Sequence, residues 1–87
     1  MESYKVSIKA SAAKELEALP TLKDRQRAVA IIRGLGTAPR PHGCIKLAGA
    51  TDAYRVRFGH YRILYSISDR VRVVSIERIA HRREAYR

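Results

Sequence analysis

Two runs of alternating residues, joined by a glycine-containing pair, constrain the fold of this chain more than any other feature. Residues 53–58, AYRVRF, alternate apolar side chains with arginine, and residues 61–68, YRILYSIS, place tyrosine or isoleucine at every second position. A period of two is typical of a half-buried strand. Gly59 and His60 separate the runs, which is typical of a tight hairpin turn. The sequence therefore predicts an antiparallel hairpin with one apolar face.

The other face of this hairpin is predicted to be rich in arginine. With a two-residue turn, Arg57 lies opposite Arg62, and Arg55 projects from the same face. Like charges directly opposite each other destabilise a sheet by roughly a few tenths of a kcal/mol. Three guanidinium groups on one open surface indicate a phosphate-binding site, because arginine matches the geometry of phosphate oxygens. A solvated charged face that discourages edge pairing is the alternative interpretation.

Two helices are predicted before the hairpin. Ser11 is the predicted N-cap of the first helix, which Pro20 ends because the residue before a proline resists the helical conformation. Thr21 begins the second helix with a pattern that resembles a capping box, and Gly34 and Gly36 are predicted to end it. The short connection predicts a helical hairpin.

The remaining pattern predicts the fold class. Residues 3–9 alternate as a first strand, and residues 70–79 are apolar on both faces, as expected for a central strand. The order is β-α-α-β-β-β in an α+β fold, with the helical hairpin on one face of a small antiparallel sheet. Residues 1–87 are expected to form a single domain.

The charge indicates the class of partner. Eighteen Lys and Arg residues against eight Asp and Glu give a net charge of +10. A small, strongly basic domain is typical of proteins that bind RNA, DNA or an acidic protein. No apolar run approaches the ~20 residues of a membrane helix. We therefore expect no membrane segment, and the single cysteine, which can form no intrachain disulfide, favours a reducing cytoplasm.

Cofactor chemistry is not expected from this sequence. Cys44 is the only cysteine, which excludes an intrachain disulfide and a cysteine-based metal site. The three histidines have no clustered carboxylates around them, so no metal site is predicted.

The C-terminal segment does contain groups for proton transfer and charge stabilisation, and part of it is expected to reach the arginine face. These groups are His81, Arg82, Arg83 and Tyr86. Such a set is typical of RNA cleavage by the substrate's own 2′-hydroxyl, which needs no metal.

Three segments together resemble the RelE/ParE toxin superfamily, the small basic toxins of toxin–antitoxin pairs. They are KLAGATDAYRVR at 46–57, YRILY at 61–65 and HRREAY at 81–86. The resemblance covers essentially the whole chain. It implies a RelE-like fold, cleavage of messenger RNA in the ribosomal A site, and neutralisation by an acidic, RelB-like antitoxin. An acidic, partly disordered partner that folds on binding is also expected from the charge.

The resemblance implies roles for particular residues. The implied catalytic residues are Arg62 and Arg82, which stabilise the phosphate, and Tyr86 or His81, which move protons. The expected RNA-binding residues are Arg55, Arg57, Lys46 and Arg83. Arg55 and Arg57 stand where the RelE pattern has lysines, and a guanidinium is a poor general base because it stays protonated.

Two other functions remain open at this point. A ParE-like toxin inhibits DNA gyrase without cutting RNA, and a non-catalytic module would only bind RNA or the ribosome. The combination of Arg62, Arg82 and Tyr86 favours the nuclease, since a gyrase inhibitor has no need for it.

Overall fold

The computed structural model describes residues 3–81 as two helices and five strands. The elements are β1 (Lys5–Ile8), α1 (Ala10–Glu17), α2 (Leu22–Thr37), β2 (Ile45–Lys46), β3 (Ala53–Phe58), β4 (Tyr61–Ser68) and β5 (Val73–His81). The strands form one sheet in the order β1-β5-β4-β3-β2. The α+β class is confirmed. The sheet is mixed, because β1 runs parallel to β5 while the other pairs are antiparallel, and β2 extends it by a strand beyond those predicted.

The predicted hairpin is present with the predicted bounds and register. Tyr61 lies opposite Phe58, and Arg62 lies opposite Arg57. Gly59 has a φ angle of 56°, a left-handed conformation that suits a glycine in a two-residue turn. The apolar face of the hairpin is therefore committed to the core, and the arginines project from the opposite face.

The two helices differ from the prediction at their ends. α1 begins at Ala10, with Lys9 as an N-cap that provides no side-chain hydrogen bond, so the predicted Ser11 cap was wrong. Thr21 is the N-cap of α2, as predicted, and its hydroxyl accepts from the Asp24 amide at 3.1 Å. α2 was predicted to end at Gly34 and Gly36, but it includes both glycines and ends at Thr37. A glycine is compatible with the helix when packing compensates its poor propensity.

Gly36 serves a packing function near the end of α2. A Cβ at this position would lie 3.1 Å from the Tyr4 carbonyl oxygen and 3.2 Å from Val6 Cγ2. The Tyr4 amide donates to the Gly36 carbonyl at 2.7 Å. Because only a glycine fits here without displacement, the residue lets the first strand lie against the end of α2.

The core lies between the helical pair and one face of the sheet. Its largest fully buried side chains are Tyr65, Leu35, Ile63, Ile76 and Val74. The helices supply Ala12, Ala28 and Ile32 to the same cluster, and the connection between them supplies Leu19. Neither helix within residues 3–81 is long and apolar enough to cross a membrane.

The last strand begins later and ends later than predicted. Residues 69–72 form a turn, in which Arg72 has a φ angle of 55° and the Val71 side chain is 65% exposed. β5 also contains a bulge, because Arg78 lies opposite Leu64 whereas Ile76 lies opposite Tyr65. One extra residue in β5 therefore reverses the alternation of side chains beyond it.

The α1 helix fixes this irregular part of β5. Glu15 accepts a hydrogen bond from the Ile79 amide at 2.9 Å and forms an ion pair with Arg78 at 3.2 Å. The Ile79 amide lies beyond the segment that pairs with β1, so the carboxylate satisfies a backbone donor at an uncovered strand edge. Ile76 and Ile79 both face the core as a result.

The opposition of Arg57 and Arg62 generates a stability prediction. Arg57→Thr removes a like charge from directly across the strand and introduces a residue that favours strands, so unfolding should cost about 0.2–1 kcal/mol more. Urea denaturation measures the change. Arg70→Thr, which removes the same charge from the exposed 69–72 turn, is the matched control and should show a smaller effect. A destabilised Arg57→Thr variant would contradict the prediction.

Candidate nucleic-acid interface

Three arginines from the β3–β4 hairpin share one pocket on the sheet face that points away from the helices. Arg55 and Arg57 project from β3, and Arg62 projects from the neighbouring strand. The cavity has a volume of about 230 Å³. Within residues 3–81 it is lined by Gly43, Ile45, Arg55, Arg57 and Arg62, which we call the arginine pocket. The predicted convergence of the three hairpin arginines is thus present.

The three arginines differ in their exposure to solvent. Arg62 is only 6% exposed and is the one charged side chain in the buried class among the described residues. Arg55 is half-buried, and Arg57 is exposed. A guanidinium in a poorly solvated site interacts with phosphate oxygens more strongly than one in water. The pocket therefore combines a buried cation on a central strand with more accessible cations beside it.

His81 does not lie in the arginine pocket. It is paired with Tyr61 across β4 and β5, and cross-strand partners project from the same face. The two rings meet edge to face at 5.6 Å, and His81 stacks with His60 at 6.2 Å. The imidazole lies beside Glu15 and Leu19, on the helix side of the sheet. The prediction was that one or two of His81, Arg82 and Arg83 reach the arginine face. His81 does not, because the bulge in β5 reverses the alternation before this residue, and Arg82 and Arg83 lie outside the described residues.

Lys46 also lies outside the arginine pocket. Its partner across β2 and β3 is Tyr54, whose ring is buried in the core face, whereas Ile45 pairs with Arg55. The lysine therefore projects from the face opposite the arginines, and the expectation that it extends their surface was wrong. The other predicted site residues, Arg82, Arg83 and Tyr86, lie outside the described residues.

The loop that supplies Gly43 and leads into β2 is held by contacts that sequence reasoning missed. The Arg40 guanidinium donates to both oxygens of Asp69, at 3.2 and 2.7 Å, and its Nε donates to the Tyr54 hydroxyl at 3.1 Å. The Tyr4 hydroxyl donates to Asp69 at 2.5 Å. We call Tyr4, Arg40, Tyr54 and Asp69 the Arg40 network. It joins the loop to the residue that precedes β1, to β3 and to the 69–72 turn.

The electrostatics of this network follow from its hydrogen bonds. The bond from Arg40, followed by that from Tyr4, lowers the pKa of Asp69. The same carboxylate raises the pKa of Arg40 and that of Tyr4, because it stabilises their protonated forms. Burial raises the pKa of Tyr65, whose hydroxyl donates to the Pro39 carbonyl at 2.8 Å. Each of these shifts moves the pKa further from neutrality, so the groups keep their ordinary charge at pH 7. The hydrogen bonds of Arg40 and of the Pro39 carbonyl therefore hold the loop at that pH.

Sequence reasoning had little chance of finding the Arg40 network. Its members are separated by up to 65 positions, and none belongs to a motif with a characteristic spacing. The one local signal is that prolines flank Arg40 on both sides, which restricts the loop backbone. Within residues 3–81 no group of three or more potential metal ligands occurs.

The lowered pKa of Asp69 generates a pH prediction. Aspartate in an unfolded chain titrates near ~3.9, so its stabilising effect is fully present above that value and is lost as pH falls through the lower pKa of the folded state. Asp69→Asn should therefore lower the urea midpoint at pH 7, and the gap from the unmodified protein should shrink below about pH 4. Asp52→Asn is the matched charge control. A gap that is independent of pH would contradict the prediction.

Comparison with protein families identifies the kind of protein. A family model described as the ParE toxin of type II toxin–antitoxin systems, parDE, matches residues 6–86. Comparison with curated protein sequences gives no significant match.

Solved structures with the same fold include an isolated toxin and toxin–antitoxin complexes. A chain of the archaeal RelE–RelB complex from Pyrococcus horikoshii is 32% identical, with a TM-score of 0.82, and the match covers 92% of this chain and 96% of that one. A chain of the RelBE2 complex from Mycobacterium tuberculosis is 27% identical, with a TM-score of 0.78 and coverage of 91% and 98%. The isolated RelE toxin of E. coli, 23% identical with a TM-score of 0.79 and coverage of 97% and 96%, shares the fold. Because the family model spans nearly the whole chain, this protein belongs to the ParE toxin family of the RelE/ParE superfamily and is a toxin of a toxin–antitoxin system.

Proposed function

We propose that this toxin is an endoribonuclease that cleaves messenger RNA in the ribosomal A site. The observation that supports this proposal is the convergence of three hairpin guanidinium groups in one pocket of the sheet face. Arginine binds phosphate through paired N–H donors, and the pocket offers several such donors within one cavity. A gyrase-binding surface would not require cations gathered in a concave site.

The reaction we propose uses the RNA as its own nucleophile. The 2′-oxygen forms a bond to the adjacent phosphorus, the bond from phosphorus to the 5′-oxygen breaks, and the products are a 2′,3′-cyclic phosphate and a 5′-hydroxyl. One proton leaves the 2′-hydroxyl, and one is delivered to the 5′-oxygen. Negative charge accumulates on the phosphoryl oxygens in the transition state, where preorganised cations have their largest effect. Arg55, Arg57 and Arg62 are proposed to bind and stabilise these oxygens.

Proton transfer requires groups other than the three arginines. A guanidinium stays protonated and cannot accept the 2′-hydroxyl proton. His81 lies on the other face of the sheet, so it is not proposed for this role. We assign proton transfer to Tyr86 and stabilisation of the reacting phosphate to Arg82 as well as to Arg62. Arg83 is proposed to contact the RNA backbone. A site so poor in acid–base groups is also expected to depend on the ribosome, which can supply such groups and orient the substrate.

Inhibition of DNA gyrase is the second candidate function. It is favoured by the match of residues 6–86 to a family model described as the ParE toxin. The 32% identity to a chain of an archaeal RelE–RelB complex favours the nuclease. The two activities are separable, because cleaved messages and stalled gyrase are measured in different assays.

Arg57→Ala should lower the rate of message cleavage in a translating extract about 10- to 100-fold, as expected for loss of a charge-assisted hydrogen bond. Mapping of the 5′ ends of the messages measures cleavage. Arg33→Ala, which removes an exposed arginine from the outer face of α2, is the control and should cleave normally. If the unmodified protein cuts no message and instead inhibits DNA supercoiling by gyrase, the nuclease proposal is wrong and the second candidate holds.

We also propose that an acidic, RelB-like antitoxin neutralises this toxin. The structural relatives from P. horikoshii and M. tuberculosis are parts of complexes with antitoxins. This chain has a net charge of +10 and an arginine pocket on a sheet face that no helix within residues 3–81 covers, which suits an acidic segment.

Co-expression tests the antitoxin proposal. The product of the adjacent gene is expected to relieve growth arrest and to remain bound to the toxin through purification. An unrelated acidic protein of similar size and charge is the control, because it separates specific binding from simple charge neutralisation. Growth arrest that persists when the adjacent gene product is abundant would contradict the proposal.

A further inference from the structure

One side of the arginine pocket is apolar and is exposed to solvent. Ile45 is the only residue with a large apolar side chain among the described residues that line the cavity. It is 50% exposed, while Ile63, Ile76 and Ile79 of the same sheet are buried. An exposed isoleucine on an edge strand is a liability for association with other chains. Its exposed surface is therefore available to a ligand that enters the arginine pocket.

Ile45 lies directly beside a cation of the pocket. It is the cross-strand partner of Arg55, and the two side chains project from the same face. Side chains at such positions have Cβ atoms roughly 4.5–5.5 Å apart. If the guanidinium of Arg55 binds one group of a ligand, the part of the ligand bonded to that group would lie against the side chain of Ile45.

The position of this apolar side is fixed before any ligand binds. The Arg40 network holds the loop that precedes β2, and the Cys44 amide donates to the Pro41 carbonyl at 3.0 Å. Gly43 has a φ angle of 91°, and a Cβ built there would meet no atom within 4 Å. Gly43 therefore adds no side chain to the lining beside Ile45, and the space at its Cβ position holds no atom of the described residues. A ligand can therefore reach the isoleucine without a change in the loop.

A nucleotide combines the two chemical groups that this pocket offers to bind. Its phosphate is anionic, and its base presents an apolar face on which side chains pack. We propose that Ile45 packs against the nucleobase next to the phosphate held by the pocket arginines, and that it contributes to the choice of base. The inference rests on the proposed function for its biological meaning, but the contact itself can be measured without cleavage.

The test compares a short fluorescent 2′-deoxy oligonucleotide with the same oligonucleotide carrying abasic sites. Neither probe has a 2′-hydroxyl, so neither can be cut by the proposed reaction, and both keep all their phosphates. Anisotropy titrations in ~0.15 M salt reduce the sequence-independent attraction of a basic protein for any polyanion. The difference between the two probes then reports on contacts with the bases alone.

Ile45→Ala should weaken binding of the base-containing probe about three- to tenfold, because the substitution removes most of the apolar surface that Ile45 exposes to the base. Binding of the abasic probe should stay the same. Ile45→Phe should retain or strengthen binding of the base-containing probe. Val71→Ala, which trims an exposed apolar side chain in the 69–72 turn, is the matched control and should leave both probes unaffected. Circular dichroism and urea midpoints check that each variant is folded.

Two results would overturn the inference: an Ile45→Ala variant that binds both probes as the unmodified protein does, or one that loses affinity for both equally. A protein that binds neither probe would also overturn it. Failure of the proposed function has a different signature, since the unmodified protein would then cut no message while the effect of Ile45→Ala on the base-containing probe persists. If the nuclease and the base contact both hold, Ile45→Ala also changes the distribution of bases at the mapped cleavage sites.

Discussion

The uninterrupted register between β3 and β4 is the constraint on which the rest of the structure depends. Each residue from Ala53 to Phe58 has a partner on the neighbouring strand, with no irregularity before the turn at Gly59. Since a shift of one residue would exchange the two faces, this register simultaneously buries the aromatic side chains and gathers the arginines. The core and the candidate site are therefore two consequences of the same hydrogen-bond ladder, and a substitution that moved the turn would disrupt both.

The arginine pocket imposes a cost on the fold that packing elsewhere offsets. Arg57 lies opposite Arg62, and Ile45 is left exposed at the edge of the sheet. Neither arrangement helps a protein of this size, whose net stability is only a few kcal/mol. Stability comes from the opposite face, where Ile63 and Tyr65 are almost completely buried. Residues that are unfavourable for stability, in a sheet whose other residues favour it, are expected at a binding site.

How far the sequence predicts the site depends on which contacts are local. The hairpin was predictable with its register, because the alternation and the Gly59–His60 turn lie within one short segment. The face of His81 was not, because it follows from a bulge in β5, and the contact made there, from the Ile79 amide to Glu15, comes from the distant α1 helix. The face from which Lys46 projects depends on how the two-residue strand β2 pairs with β3. Two residues are too few to show an alternation of apolar and polar side chains, so the sequence does not predict this pairing. The Arg40 network joins distant segments and has no sequence pattern of its own.

The use of arginine in this pocket has a consequence for how the proposed reaction depends on pH. A guanidinium is a poor general base, so the pocket arginines can bind phosphate but cannot take up the 2′-hydroxyl proton. Any pH dependence of cleavage near neutrality must then come from groups outside Arg55, Arg57 and Arg62. His81 is excluded by its position on the helix side. The proposed nuclease would therefore divide its chemistry: the hairpin arginines would bind and stabilise the phosphate, and Tyr86 and groups of the ribosome would transfer protons.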